Sequence, residues 1–187
     1  MSEEQKAEPS DFASVADFNS LYSSYTEARK GKRWKYAVCK YEANILENLM
    51  FIHFMLTSHK YRLSPYNCFI VKEPKERLIM YNSFRDKIVQ HSLCDNVLEP
   101  VLSKTFIYDN YASQKGKGTH FGLDRLKLFM QKFYRQHGTD GWVLKCDVRK
   151  YFYRIDHDVL KSQLRRLIKD TDVLCCLLYT SPSPRDG

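Results

Sequence analysis

The run Lys145-Cys146-Asp147-Val148-Arg149-Lys150-Tyr151-Phe152-Tyr153-Arg154-Ile155-Asp156 holds the residues best suited to chemistry. Ahead of it, Trp142 to Asp147 is a short apolar stretch ending in a carboxylate. Gly138 and Gly141 precede that stretch and it has no helical stripe, which predicts a buried strand. An aspartate at the C-terminal end of such a strand is held rigidly where a sheet opens to solvent, and there it can ligate a divalent cation. Strand-end aspartates also start turns, so placement alone leaves both roles open. Asp156, nine positions on, stands at the start of a helical pattern and reads as its N-cap rather than as a second metal-binding carboxylate.

Three further segments bring cations together. Lys72-Glu73-Pro74-Lys75-Glu76-Arg77 joins two short apolar segments, Tyr66 to Val71 and Leu78 to Tyr81, as the charged tip of a hairpin. Lys72 and Arg77 can offer fixed donors to a polyphosphate, or the alternating charges simply keep the tip soluble. Lys115-Gly116-Lys117-Gly118-Thr119-His120 lacks the Gly-x-x-x-x-Gly-Lys-Ser/Thr spacing of a P-loop. Its glycines either let the backbone approach a phosphate or make turns. Arg29, Lys30, Lys32, Arg33, Lys35 and Lys40 interleave with Trp34, Tyr36 and Tyr41, a mix that suits phosphate neutralisation plus base stacking, or a solvated basic face.

The elements that must position these groups follow from periodicity. Ile45, Leu46, Leu49, Ile52 and Leu56 recur at the spacing of an amphipathic, core-facing helix. Asp86 to Leu102 predicts a second helix, with Val89, Leu93, Val97 and Val101 on one stripe, and Leu123 to Phe133 a third through Leu126, Phe129, Met130 and Phe133. Asp156 can cap a following helix whose apolar positions are Val159, Leu160, Leu164, Leu167 and Ile168. The order helix, hairpin, helix, helix, strand, helix favours an α+β architecture over an alternating one.

Composition bounds the partners. The chain has 187 residues, 28% charged and 43% hydrophobic, enough to bury a core, and its net charge of +8 favours an anionic partner. Leu49 to Leu56, its longest apolar run, is broken by His53 and far shorter than the ~18–20 residues that cross a bilayer, so no membrane partner is expected. Met1 to Asp11 is acidic and polar, a disordered lead-in unlike a secretory peptide, and a cytoplasmic location follows. Cys39, Cys68, Cys94, Cys146, Cys175 and Cys176 show no zinc spacing and read as reduced, mostly buried thiols.

The spacing Asp-Val-x-x-Tyr-Phe-x-x-Ile-Asp, from Asp147 to Asp156, resembles the first catalytic motif of reverse transcriptases. Within them it is most similar to the retron-type bacterial group, which includes group II intron proteins and diversity-generating retroelement enzymes. The resemblance implies that Asp147 ligates catalytic Mg²⁺, with the Val148 carbonyl as a further ligand. It puts Phe152 under the incoming sugar, where it excludes a 2′-hydroxyl. Val71 to Ile79 looks like the fingers hairpin of these polymerases, with Lys72 and Arg77 around the triphosphate. Arg85 to Gln90, with Leu98-Glu99-Pro100, and then Tyr111 to Leu126 resemble the next segments in order, which would set Lys115, Lys117 and His120 near template or primer.

The resemblance covers roughly residues 36–169 and implies the fingers and partial palm of a right-hand polymerase, mostly helical with a β-hairpin and a palm strand. Its expected divisions are a lead-in (1–11), an N-terminal extension and fingers (12–135), the start of the palm (136–175) and a non-native tail (176–187). Cys176 to Asp186 resembles a translated sequencing adapter. The implied activity is RNA-directed DNA polymerisation by two-metal catalysis, with an RNA template, a DNA primer, deoxynucleoside triphosphates and an accessory protein as partners. The family's second catalytic motif, with paired aspartates, is missing, so this chain alone is expected to be inactive. The alternative is a non-catalytic nucleic-acid binding module built on the basic run near Trp34, salt-sensitive and indifferent to magnesium.

Overall fold

The computed structural model describes residues 11–74, 76–149 and 151–179. Residues 1–10 of the lead-in and 180–187 of the adapter-like tail lie outside them, as do Lys75 and Lys150 and the side chains of Phe152, Tyr153, Leu178 and Tyr179.

Four helices precede the hairpin: α1 (Asp11–Ala16), α2 (Phe18–Arg29), α3 (Tyr36–Glu42) and α4 (Ile45–Thr57). Only α4 shows in the hydrophobic pattern, because α2 and α3 are rich in Ser, Tyr and Lys. Leu21, Tyr25 and Ala28 nevertheless repeat at helical spacing and are buried, and Asp17 starts α2 by accepting from the Ser20 N–H at 3.0 Å. In α4 the buried stripe is Leu49, Ile52 and Leu56, narrower than the pattern predicts, and Leu46 faces outward.

Strands β1 (Asn67–Val71) and β2 (Arg77–Tyr81) pair antiparallel, with Asn67 opposite Tyr81 and Val71 opposite Arg77. Next, α5 (Phe84–Leu93) runs through a π-helical turn at Cys94–Leu98 into α6 (Glu99–Leu102) and a 3₁₀ turn at Ser103–Thr105. Pro100 has no N–H for the preceding turn and crowds it, which accounts for the widened register just ahead of it. Ile88, Val89, Leu93 and Val97 pack in one core with Val15, Leu21, Leu49, Ile52 and Leu56. Each such aliphatic side chain contributes about 1.5–3 kcal/mol when fully buried.

The last elements are α7 (Thr119–His137), α8 (Tyr151–Arg154), α9 (His157–Leu167) and α10 (Thr171–Tyr179). Of these α10 joins the core, through Val173, Cys176 and Leu177. Asp170 couples it to the start of the chain: one carboxylate oxygen caps α10 and the other accepts from the Phe12 N–H at 3.0 Å. Residues 176–179 of the stretch expected to be a non-native tail therefore continue a helix, and Cys176 and Leu177 are buried in it.

The general α+β expectation holds in its coarse form, a mostly helical chain with one small antiparallel sheet. Two expectations are corrected. Trp142 to Asp147 is neither a strand nor buried: residues 141–148 take no regular structure, and Trp142, Val143 and Leu144 are 100%, 89% and 87% exposed. A strand needs a neighbour for its N–H and C=O groups, and among the described residues β1 and β2 pair only with each other. The cysteines are free but not mostly buried, because all except Cys176 lie on solvent-facing surfaces. Among the described residues no helix is long and apolar enough to cross a membrane.

Candidate functional site

Asp147 stands in the irregular segment, exposed, with no hydrogen bond or ion pair among the described residues. Val148 beside it is exposed as well, and Phe152 follows within α8. Asp156 caps α9, accepting from the N–H groups of Asp158 and Val159 at 2.9 and 3.1 Å, so its carboxylate belongs to the helix start, as its spacing predicts. Among the described residues no three His, Cys, Asp or Glu side chains converge on a point. One exposed carboxylate with a neighbouring carbonyl falls short of a pair of magnesium sites, since each ion needs further oxygen donors in a fixed arrangement. Asp147 fits the part of one donor among several.

Lys72 and Arg77 flank the hairpin turn, Lys72 just past β1 and Arg77 as the first residue of β2, both exposed. Because strand side chains alternate, Arg77 shares a face with Phe69 and Tyr81. The 115–120 segment is more constrained than its glycines suggest. Lys115 pairs with Glu99 at 2.7 Å, which raises its pKa through that hydrogen bond. Lys117 donates to the Tyr108 and Asn110 carbonyls at 2.6 and 3.3 Å and sits over the Tyr108 and Phe121 rings. Arg125 pairs with Asp109 and lies between the Tyr108 and Phe129 rings. Tyr111 packs so close to Gly122 that an added Cβ would stand 2.7 Å from the ring. Lys115 and Lys117 thus fasten their loop to α6 and α7. His120, in the first turn of α7, makes no hydrogen bond or ion pair among the described residues.

A groove of about 910 Å³ lies where α3 faces the hairpin base and the start of α5. Lys32, Lys35, Lys40, Arg85 and Lys87 line it together with Tyr36, Phe69 and Tyr81, and none of its lining residues is acidic. Burial lowers the Lys87 pKa, and the nearby charges of Lys32 and Lys35 lower it further. The run from Lys32 to Asn48 supplies one side of this groove, and the other side comes from Asn67 to Lys87, which no local pattern links to it.

Behind the groove, Asp86 is completely buried. It accepts from the Tyr61 hydroxyl at 2.6 Å, the Ser83 hydroxyl at 2.6 Å and the Ser64 N–H at 3.1 Å, with Arg85 at 3.4 Å. Burial is the largest single influence and opposes its charge, but Ser83, Tyr61, Arg85 and Ser64 together outweigh it and hold the carboxyl below its ordinary range. The Ser83 hydroxyl also accepts from the Asp86 N–H at 3.2 Å, so the same pair caps α5 and fixes the groove wall.

No family model matches the chain. It is 26% identical over 127 residues to protein YkfC of Escherichia coli (strain K12), a match that takes in 67% of this chain and 32% of the relative. The chain therefore spans about a third of the length of the curated relative it matches. That likeness assigns no chemistry to the hairpin, the groove or Asp147, so any function rests on the residues themselves.

Proposed function

We propose that these residues form the fingers and the first part of the palm of an RNA-directed DNA polymerase. The observation that carries the reading is the run from Asp147 to Asp156, in which a free carboxylate precedes an aromatic pair and a helix-capping aspartate at the spacing of the first reverse-transcriptase motif. The hairpin supports it, since Lys72 and Arg77 flank one exposed turn as a triphosphate clamp requires. In this reading Asp147, with the Val148 carbonyl, contributes to the binding of Mg²⁺, which when bound activates the primer hydroxyl and steadies the leaving pyrophosphate. Phe152 selects deoxynucleotides, and RNA template and DNA primer are the macromolecular partners. Lys115 and Lys117 organise the loop that presents His120 to them.

Because one carboxylate does not fix two metals, the 187-residue chain by itself is inactive, and the activity belongs to a longer natural gene product that carries these residues. The test is primer extension. The longer product, given a DNA primer on an RNA template, should incorporate deoxynucleotides with Mg²⁺ and stop with excess EDTA, whereas the 187-residue chain should incorporate none. Extension by the short chain, or template binding without extension by the long one, would overturn the reading.

A further inference from the structure

No residue of β1 or β2 is buried, and Phe69, Ile70 and Leu78 are half exposed, so packing along its faces does not set the direction in which the hairpin points. A free two-stranded hairpin is marginal in water, and its direction has to be fixed at the root. The root consists of two legs. Residues 61–66 lead from α4 into β1, and Asn82 and Ser83 lead from β2 into α5. Leu63 on the first leg and Phe84 just past the second rest against the core, but apolar contact has no directionality. The directional bonds converge on the fully buried Asp86. One of its carboxylate oxygens accepts from the Ser64 N–H at 3.1 Å on the incoming leg and from the Ser83 hydroxyl at 2.6 Å on the outgoing one. The other accepts from the Tyr61 hydroxyl at 2.6 Å, also on the incoming leg. Arg85 adds a second tie to that leg, donating to the Arg62 carbonyl at 3.1 Å and the Ser64 hydroxyl at 2.9 Å. Ser83 by itself caps α5, so a buried carboxylate is more than the helix start requires.

We propose that Asp86 is a positioning residue of the hairpin: its carboxylate ties both legs to α5 and so sets where Lys72 and Arg77 meet the triphosphate of an incoming nucleotide. The inference rests on the polymerase reading for the identity of that ligand, but not for the tie at the root. Asp86 touches no substrate and acts through Lys72 and Arg77. Leverage makes the root decisive. Val71 lies about 14 Å along β1 from Asn67 at ~3.4 Å per residue, so a tilt of about 10° at the root displaces the tip by about 2 Å. An N–H to oxygen bond keeps its strength over a range of only about 0.5 Å, so such a tilt takes both cations off the phosphate oxygens. Holding the legs together also lowers the entropy cost of pairing the two strands.

Two measurements test this. In the 187-residue chain, hydrogen exchange of the β1 and β2 amides should quicken about tenfold in Asp86→Asn, which keeps one acceptor oxygen of two, and further in Asp86→Ala. Ser92→Ala removes a different buried hydrogen bond of α5, from the Ser92 hydroxyl to the Val15 carbonyl at 2.8 Å. It should loosen the core yet leave hairpin exchange within about twofold. In the longer gene product, Asp86→Asn should raise KM for the deoxynucleotide about tenfold with kcat within about threefold, and Ser92→Ala should change neither by more than about twofold. Should Asp86→Ala fail to fold, Asp86→Asn serves for both comparisons. Absence of extension by the natural longer product would overturn the polymerase reading and the nucleotide role with it, whereas hydrogen exchange decides the tie at the root in either case. Hairpin exchange unmoved by Asp86→Asn, or a KM change that Ser92→Ala reproduces, would overturn the proposal.

Discussion

Leu49 in α4 and Leu126 in α7 both sit on apolar stripes of helical period, yet Leu49 is fully buried and Leu126 is 52% exposed. The contrast extends to their surroundings. Residues 11–105 together with α10 close around a continuous core, whereas between Val97 and Ile168 no described residue is buried. The 19-residue α7 shows Leu123, Leu126, Met130 and Phe133 to solvent, and α9 shows Val159, Leu160 and Leu167. Periodicity therefore reports which face of an element is apolar, and only a facing element decides whether that face is covered. The segment with the candidate catalytic carboxylate lies in the open region, and the basic groove lies in the packed one.

The sharpest way to break this comparison is a matched pair of truncations. Leu49→Ala should destabilise the protein by about 2–5 kcal/mol, since it leaves a cavity, and Leu126→Ala by no more than about 0.5 kcal/mol, both read from denaturant unfolding. Equal costs would mean that α7 is packed in solution. Asp86→Ala comes next, at about 3 kcal/mol, because it strands the donors aimed at a buried carboxylate. The Asp86 carboxyl is held below its ordinary range, so its stabilisation is complete above about pH 4 and is lost as pH falls through the folded value. Asp86→Asn should flatten that acid limb of the stability profile.

Two tyrosines sharpen the contrast within the packed region. Tyr61→Phe removes the 2.6 Å hydrogen bond to Asp86 and should cost about 1.5 kcal/mol. The Tyr41 hydroxyl is buried without a hydrogen-bond partner among the described residues, so Tyr41→Phe should be neutral or stabilising by up to about 1 kcal/mol. Burial raises the pKa of both phenols, and in Tyr61 the bond to Asp86 raises it further. In the open region the smallest effect is expected from Gly122→Ala. It should free the 106–118 loop from α7 and speed its proteolysis without moving the global melting temperature.

How much was legible followed the same division. The hairpin and the helix through Val89, Leu93 and Val97 could be read directly, because their apolar residues recur at the period of the element and turn residues bound them. Helices α1 to α3 could not, since α1 is only six residues long, Ser and Tyr interrupt the buried residues of α2, and α3 buries Val38 alone. Asp86 sits between Arg85 and Lys87 in a string that looks solvated, and its partners Tyr61 and Ser64 come from more than 20 residues upstream. Trp142 to Asp147 has the composition of a buried strand but no strand beside it. Spacing alone put Lys72 and Arg77 at a hairpin turn and Asp156 at a helix start, and it left the partners of Lys115 and Lys117 unseen.

The proposed role of the Asp147 carboxylate is metal binding in template-directed DNA synthesis. Single-nucleotide incorporation by the longer gene product, compared between its natural sequence, Asp147→Asn and Asp156→Asn, tests it most directly. Asp147→Asn should lower the rate by about a thousandfold or more at unchanged stability. Asp156→Asn should keep the rate within a few fold, because asparagine also caps a helix. A polymerase indifferent to Asp147→Asn would contradict the account.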